Sequence, residues 1–490
     1  MDGRHVIVAS NRGPVSFERD DAGRVVARRG AGGLVTALTG ALSATGGRWI
    51  AAAMSEEDRR LAGTGPVEVE GPAGSGSYRV RFLALEPRAY EAYYQGISNR
   101  VLWFLNHYLW DTARLPSFDA GTAGAWLAYR QVNESFAATL AEEPGGAGGG
   151  WGGTHAYLVQ DYHLALAPAA LRRLRPDARI AHFWHTPFAG PDYLAILPRE
   201  LREELLAGTL GADVVGFQAP GWARQFLAAC RLLPGASVDA RRRRVRFGGR
   251  EVSVGVYPVG VDTAGLDALA ASEEAAAAGR ALEAWLGDRR LVLRADRTEL
   301  SKNVLRGFLA FEALLANRPD LRGRVAMLAM LNPSRLDLPE YRAYLDDCLA
   351  AAARVDERFG EGPDDPVRVI VADDYPATLA AHARYDVLLV NPTFDGMNLV
   401  AKEGPWLNRR DGALVLSENA GAFAELGRHA VRVSPFDVEG TAAAMAAALD
   451  MPVAERRRRL RGLRRAVLAS PPERWVRRQL GDLDAANAAR

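Results

Sequence analysis

The sequence predicts an α/β fold made of two doubly wound, largely parallel sheets in tandem. Three observations predict it. Short runs rich in Val, Ile and Leu alternate with longer Ala/Leu/Arg-rich stretches, the alternation of strand and helix that builds parallel sheets covered on both faces. The 490 residues exceed what one hydrophobic core organises, so two large domains are expected. Several candidate strands also finish in polar residues, and an open α/β sheet presents its functional groups at its strand ends.

Taken in order, the first-half strands are Val6 to Ser10, Val80 to Leu85, Ala156 to Gln160, Arg179 to Trp184 and Asp213 to Phe217. The second-half strands are Leu291 to Ala295, Val325 to Leu331, Val367 to Ala372, Val387 to Asn391 and Ala413 to Ser417. Between them Val252 to Pro258 leads into Val259-Gly260-Val261-Asp262, and helical, Ala-rich text follows, so the domain boundary is placed near Gly260. Gly145 to Gly153 reads as a flexible surface loop. Its Gly148-x-Gly150-x-x-Gly153 precedes a strand instead of following one, which is the wrong order for a dinucleotide fingerprint.

Charged residues make up 24% and the hydrophobic set 48%, the balance of a soluble globular protein. A formal charge of +2 gives no nucleic-acid footprint. The basic runs Arg241 to Arg244 and Arg456 to Arg459 read as solvated faces. Cys230 and Cys348 can supply neither a disulfide framework nor a thiolate zinc site, and His182 and His185, three apart on an apparent strand, point to opposite faces. No metal and no cofactor are expected. The N-terminus is too short in apolar residues for a signal peptide and no stretch reaches the roughly 18 apolar residues of a membrane span, so a cytoplasmic protein without a membrane partner is expected.

The chemistry-bearing residues lie at strand ends. Ser10-Asn11-Arg12 follows the first strand, and Gly30-Ala31-Gly32-Gly33-Leu34 is a glycine-rich turn whose amides suit a phosphate. The aromatic and polar segment from Tyr93 and Tyr94 to Trp103 suits sugar stacking. Asp161-Tyr162-His163 ends one strand and His185-Thr186-Pro187-Phe188 the next, so a carboxylate and an imidazole are expected to meet above the sheet edge. In the second half Arg297 and Lys302 share a loop, where a guanidinium fork and an ammonium would hold a diphosphate. Asn332-Pro333-Ser334-Arg335 closes another strand. In Asp395-Gly396-Met397-Asn398-Leu399-Val400-Ala401-Lys402-Glu403 the first two residues make a turn, Asn398 to Glu403 begin a helix, Asp395 suits sugar hydroxyls and Glu403 suits a ribose.

These motifs, in this order and spanning nearly the whole chain, resemble those of the trehalose-6-phosphate synthase family of retaining glycosyltransferases. The resemblance implies a GT-B architecture of two Rossmann-like domains facing a cleft: an acceptor domain over 1–260, completed by a C-terminal helix at about 472–490, and a nucleotide-sugar domain over 261–471. It implies glucose transfer from a nucleotide-glucose to glucose 6-phosphate. Arg12, Tyr94, Trp103, Asp161 and Arg335 would then hold the acceptor. Gly32, Gly33, His185, Arg297, Lys302, Asp395, Gly396, Met397, Asn398, Leu399, Val400 and Glu403 would hold the donor, with Arg297, Lys302, His185 and Asp161 as the catalytic set. A homo-oligomer is left open.

Three departures from the family's usual text stand out. The bacterial Arg-x-Asp-Tyr-x-Lys-Gly loop is Arg297-Thr298-Glu299-Leu300-Ser301-Lys302-Asn303 here, and His-Ile-Pro-Phe-Pro is His185-Thr186-Pro187-Phe188-Ala189. Trp110-Asp111 leading to Pro116-Ser117-Phe118, with Lys302-Asn303 and Asn332-Pro333, is similar to related pseudo-glycosyltransferases that couple cyclitols through nitrogen. Such a coupling enzyme is the alternative, and a silent sugar-phosphate sensor is disfavoured because Arg297, Lys302 and Glu403 are all kept. The donor base, uracil, guanine or adenine, stays open.

Overall fold

The computed structural model describes residues 5–20, 22–29, 33–43, 45–71, 76–143, 155–360 and 365–488. Gly32, Gly30 and Ala31 and the glycine-rich stretch 145–153 lie outside the described residues. The chain divides into a first unit, Met1–Val259 with Pro472–Arg490, and a second, Gly260–Pro471. The crossing residue is a glycine for a steric reason: a Cβ at Gly260 would lie 1.8 Å from the Ser470 carbonyl oxygen.

The first unit is built on a ten-stranded sheet. Its middle is parallel, running Ser77–Leu83, Arg48–Ala52, Val6–Ser10, Ala156–Gln160, Arg179–Trp184, Val214–Phe217 and Arg250–Val256 across the sheet. Strands such as Ala156–Gln160 and Val214–Phe217 are buried at every position, as a parallel strand covered on both faces must be. Antiparallel edge strands close both sides, Val67–Glu70 on one and Arg244–Phe247 with Ser237–Asp239 on the other. The order of strands reverses between Val6–Ser10 and Ala156–Gln160, which makes that pair of strand ends a switch point.

The helix Pro472–Ala488 returns to this unit and buries Trp475, Val476, Leu480 and Leu483. It lies on the strands Arg179–Trp184, Val214–Phe217 and Arg250–Val256 and on the helix Gly33–Ser43. The Tyr257 hydroxyl donates to Asp482 Oδ2 at 2.6 Å, fastening the helix to the last parallel strand.

The second unit is a six-stranded, all-parallel sheet in the order Val367–Val371, Val325–Asn332, Arg290–Arg297, Val387–Val390, Ala413–Ser417, Val431–Val433. Its switch point lies between Arg290–Arg297 and Val387–Val390. The helix Val304–Asn317 presents Val304, Phe308, Phe311 and Leu315 at three- and four-residue spacing to a core that includes Met327, Leu331 and Val415. Among the described residues no helix is long and apolar enough to cross a membrane.

The expected strands form with ends shifted by a few residues. Strands absent from the sequence reading are short or polar: Arg48–Ala52, Val67–Glu70, Ser237–Asp239, Arg244–Phe247, Val431–Val433 and the separate hairpin Val15–Arg19 with Val25–Arg29. Arg48-Trp49-Ile50-Ala51-Ala52 carries two alanines and no β-branched pair, so local propensity does not mark it as a strand. Its place between Val6–Ser10 and Ser77–Leu83 does.

Candidate active site

In the first unit the site starts where Val6–Ser10 runs out. Asn11 is buried and its side-chain oxygen accepts from the Tyr93 hydroxyl at 3.1 Å, while its amide donates to the Tyr90 hydroxyl at 3.2 Å. Arg12 is exposed and donates to the Tyr94 hydroxyl at 3.1 Å. Tyr94 lies on a π-helix, Ala92–Leu102, a rare wide coil that recurs at functional sites. Its ring stacks on Tyr90 at 5.6 Å and on His163 at 5.9 Å. Trp103, directly after the π-helix, is buried, with its ring 3.9 Å from that of His107 and 6.2 Å from that of Tyr162.

On the other side of the switch point Asp161 follows Ala156–Gln160 in left-handed backbone, φ 69. A non-glycine residue holds that conformation only when its surroundings impose it, and here they do. The Asp161 N–H donates to the Phe183 carbonyl at 2.6 Å, its carbonyl meets His182 Nε2 at 3.1 Å, and its carboxylate accepts the His185 N–H at 3.1 Å. The expected meeting of carboxylate and imidazole therefore takes a different form. Asp161 holds His185 through the backbone, and the imidazole beside its carboxylate is that of His163, at 3.8 Å.

The tautomer of His185 follows from its neighbours. The Val259 N–H donates to Gln218 Oε1 at 2.9 Å, which leaves Gln218 Nε2 to donate to His185 Nδ1 at 3.3 Å. Nδ1 is thus an acceptor, and the proton sits on Nε2, donating to Gln160 Oε1 at 3.0 Å. Burial against Phe183 and Trp475 pushes the imidazolium down to about 3, with His182 adding to the effect. A neutral ring with both nitrogens engaged is a fixed polar wall, not a proton carrier. His185 lies one residue past its strand, which ends at Trp184.

In the second unit the strand Arg290–Arg297 delivers Arg297, half-exposed, and then turns through Leu300–Lys302 into the helix Val304–Asn317. The Lys302 ammonium meets Asp395 Oδ2 at 2.6 Å, and the Asn398 amide donates to the same oxygen at 3.1 Å. Below them the fully buried Arg294 pairs with Asp296 at 2.7 Å and donates to the carbonyls of Lys302 at 3.2 Å and Val304 at 3.1 Å, so a buried cation shapes the lysine's loop. A Cβ at Gly307 would lie 1.8 Å from Arg294 Nη1, which explains a glycine inside that helix. Asn303 sits in left-handed backbone, φ 58, and its amide donates to the carbonyls of Asn391 at 2.9 Å and Pro435 at 2.7 Å. Glycine and asparagine are the residues that tolerate this conformation, so Asn303 in place of the family's glycine keeps the turn.

The Asp395 segment also differs in one respect from expectation. Asn398 is in left-handed backbone, φ 76, and the helix begins only at Val400, running Val400–Leu407, with Asn398 Oδ1 accepting the Ala401 N–H at 3.2 Å. Gly396 packs so closely on Gly421 that a Cβ there would lie 1.8 Å from the Gly396 oxygen. Met397 is buried, Leu399 is partly buried and its carbonyl accepts from the N–H groups of Lys402 and Glu403, both at 2.8 Å. Lys402 is buried against Glu425 at 2.6 Å. Burial pushes the Glu403 carboxyl up to about 7.

Arg335 follows Val325–Asn332 in left-handed backbone, φ 50, and pairs with Glu299 at 2.7 Å, as Arg297 does at 2.9 Å. Among the described residues, four of the seven non-glycine residues with positive φ, Asp161, Asn303, Arg335 and Asn398, thus fall on these strand-end loops, where strain concentrates in functional sites. Gly33 opens the helix Gly33–Ser43. The sequence reading gave no role to Gln160, Gln218 or Glu299. All three stand at or just past the ends of apolar strands, the signal that picked out the others. Among the described residues no group of three or more His, Cys, Asp or Glu is placed to hold a metal ion.

The chain matches the sequence profile of glycosyltransferase family 20 over residues 4–485. It is 37% identical over 493 residues to a trehalose-6-phosphate synthase of Mycolicibacterium vanbaalenii, covering 97% of this chain and 95% of that protein. It is 33% identical over 504 residues to a validamine 7-phosphate valienyltransferase of Streptomyces hygroscopicus subsp. jinggangensis, covering 100% and 96%. Among solved structures it is similar to the E. coli trehalose-6-phosphate enzyme bound with UDP-2-fluoro glucose, with a TM-score of 0.83, 28% identity and 98% of each chain covered. A Burkholderia xenovorans UDP-forming trehalose-phosphate synthase in complex with glucose-6-phosphate matches with a TM-score of 0.82 and 30% identity, covering 98% of this chain and 100% of that one. The fold is accordingly GT-B, the activity is that of a trehalose-phosphate synthase-like glycosyltransferase, and the chain belongs to glycosyltransferase family 20.

Proposed function

We propose that this glycosyltransferase moves glucose from a nucleotide-glucose onto glucose 6-phosphate, with retention at the anomeric carbon, to make trehalose 6-phosphate. The observation that carries the reading is the cationic switch-point edge of the second unit, where Arg297 and the Lys302–Asp395 pair at 2.6 Å stand at the ends of adjacent parallel strands. That is where an open sheet binds its ligand, and two cations there match a departing diphosphate. The second unit takes the donor in this reading, with Asp395, Asn398 and the Val400 helix on sugar and phosphate and Glu403 on the ribose hydroxyls. The first unit takes the sugar phosphate through Arg12, Tyr94, Trp103 and Asp161.

No side chain is asked to attack. The acceptor hydroxyl approaches from the face the diphosphate leaves, through an oxocarbenium-like transition state, and a phosphate oxygen of the donor receives its proton. Lys302 and Arg297 meet charge that grows as the bond breaks, so they act on the rate more than on binding. Neutral His185 can donate from Nε2 to a sugar oxygen if Gln160 yields, and it cannot act as a base at neutral pH. The reading calls for no metal and no cofactor.

A second reading has one specific support, the full-length similarity to a valienyltransferase. One experiment separates the two. The protein is offered UDP-, GDP- and ADP-glucose with glucose 6-phosphate, and products are identified by mass and NMR. Trehalose 6-phosphate is the expected product, and the donor used names the base. No nucleotide release from any glucose donor, with release from a nucleotide-cyclitol and an amino-cyclitol phosphate, would put the coupling enzyme in its place.

A further inference from the structure

Glu299 lies two residues past the strand end at Arg297 and carries a fully buried carboxylate. One oxygen, Oε1, is ion-paired with Arg297 Nη1 at 2.9 Å and accepts from Arg335 Nη1 at 2.7 Å and from the Ser334 hydroxyl at 3.0 Å. Two guanidinium nitrogens that share an oxygen are no more than about 5.6 Å apart, those 2.9 and 2.7 Å distances laid end to end. The arms come from different strands, and Thr298 ties the two segments. Its N–H donates to the Asn332 carbonyl at 2.8 Å, and its hydroxyl accepts the Ser334 N–H at 3.0 Å. Arg335 is further held over the Tyr341 ring at 5.7 Å, in a left-handed backbone that only imposed packing maintains.

Two cations this close repel unless an anion lies between them. Inside the protein the anion is Glu299, and on the solvent side Arg297 keeps a side chain 52% exposed. We propose that Glu299 is a positioning residue that binds Arg297 and Arg335 into a single site for a multiply charged phosphoryl group and supplies that group's charge while the site is empty. The proposal rests on the reading that these arginines receive phosphate, and it sharpens it: Arg297 and Arg335 serve one phosphoryl group or two adjacent ones, not two separate substrates' phosphates at a distance. Anion binding then competes with Glu299 for the same donors. Removing the carboxylate's charge strengthens anion capture while loosening the aim of both arms, so binding and turnover move in opposite directions. A carboxylate with a purely structural role moves them together.

The test uses the full chain and inorganic pyrophosphate as probe, read by calorimetric titration and thermal unfolding. Glu299→Gln keeps the volume, removes the charge and turns an amide donor toward one guanidinium. It is expected to unfold at lower temperature than the unaltered protein, to recover with pyrophosphate, to bind pyrophosphate roughly tenfold tighter, the size of one competing charge-assisted contact, and to lose at least tenfold in kcat. Glu299→Asp keeps the charge and is expected to respond as the unaltered protein does. Pyrophosphate binding no tighter in Glu299→Gln, or an Asp variant indistinguishable from Gln, overturns the proposal. Should Glu299→Gln not fold, the charge-balanced Arg335→Met/Glu299→Gln double variant is compared with Arg335→Met, and equal pyrophosphate affinity in the two overturns it as well. Titrating UDP and glucose 6-phosphate in place of pyrophosphate identifies the natural occupant as the one whose affinity rises, and a rise in neither also counts against the idea. Pyrophosphate capture needs no sugar transfer, so a tightened probe with no trehalose 6-phosphate formed sinks the function and leaves this inference standing.

Discussion

Burial pushes the Glu403 carboxyl up to about 7, where ordinary pH decides its charge. A carboxyl raised in the folded state costs stability as pH climbs from the usual carboxyl range toward 7, since the fold favours the neutral form. Ribose recognition works the other way, because only the carboxylate accepts from two hydroxyls. Donor KM is therefore expected to rise as pH falls from about 8 to about 6, and Glu403→Gln should flatten that slope while raising KM throughout. A slope unchanged in the variant would remove Glu403 from donor binding. Lys302 poses a different question, since its ammonium already touches Asp395 at 2.6 Å and, under the proposed function, would exchange that partner for the diphosphate. Lys302→Ala is expected to cut kcat by roughly two decades, two charge-assisted contacts' worth, with the acceptor KM changed far less. A defect confined to acceptor KM would reverse the assignment of units to substrates.

Between residue and molecule, the loop from Arg297 into the helix Val304–Asn317 is the element that sets the site. Arg294 and Asp296 anchor it from below and Asn303 turns it into the helix. Asn303 performs two tasks that substitutions can part: it occupies φ 58, and its amide satisfies two buried carbonyls. Asn303→Gly loses the hydrogen bonds and keeps the conformation. Asn303→Ala loses both, and the left-handed turn costs a further 1 kcal/mol or so. Denaturant midpoints should rank the unaltered protein above Gly and Gly above Ala; Ala equal to Gly would show the backbone conformation to be unstrained.

At the scale of the molecule, the last helix belongs to the first unit although the whole second unit lies between them in sequence. Its Trp475, Val476, Leu480 and Leu483 are buried, which at about 1.5–3 kcal/mol each approaches the entire stability of a domain. Ending the chain at Pro471 should abolish or sharply lower the unfolding transition of the first unit in calorimetry and spare that of the second. Trp475 also packs on Phe183 and His185, at 4.8 and 5.8 Å between ring centroids, so a milder Trp475→Ala should free the His185 ring as well as destabilise the unit. Retention of both transitions at their original temperatures in the shortened chain would mean that the helix is dispensable.

What could be read from the sequence was local. Val6–Ser10, Ala156–Gln160 and Val387–Val390 announce themselves because a strand buried on both faces must be apolar throughout, and Arg12, Asp161, Arg297 and Asp395 stand out because a polar residue ending such a run has a reason to be there. Arg48–Ala52 was not legible because it carries two alanines and a single β-branched residue, and Val431–Val433 because three residues carry little propensity; the membership of both depends on strands distant in sequence. The same holds within the site. That Asp161 grips His185 through the backbone, that Gln218 sets the imidazole tautomer from the end of the neighbouring strand, and that one buried carboxylate joins Arg297 to Arg335 are facts of approach between separate segments. Residue type and spacing determine which groups reach a strand end; only the packed chain decides which of them touch, because hydrogen bonds and desolvation act across a few ångströms of space whatever the distance along the sequence.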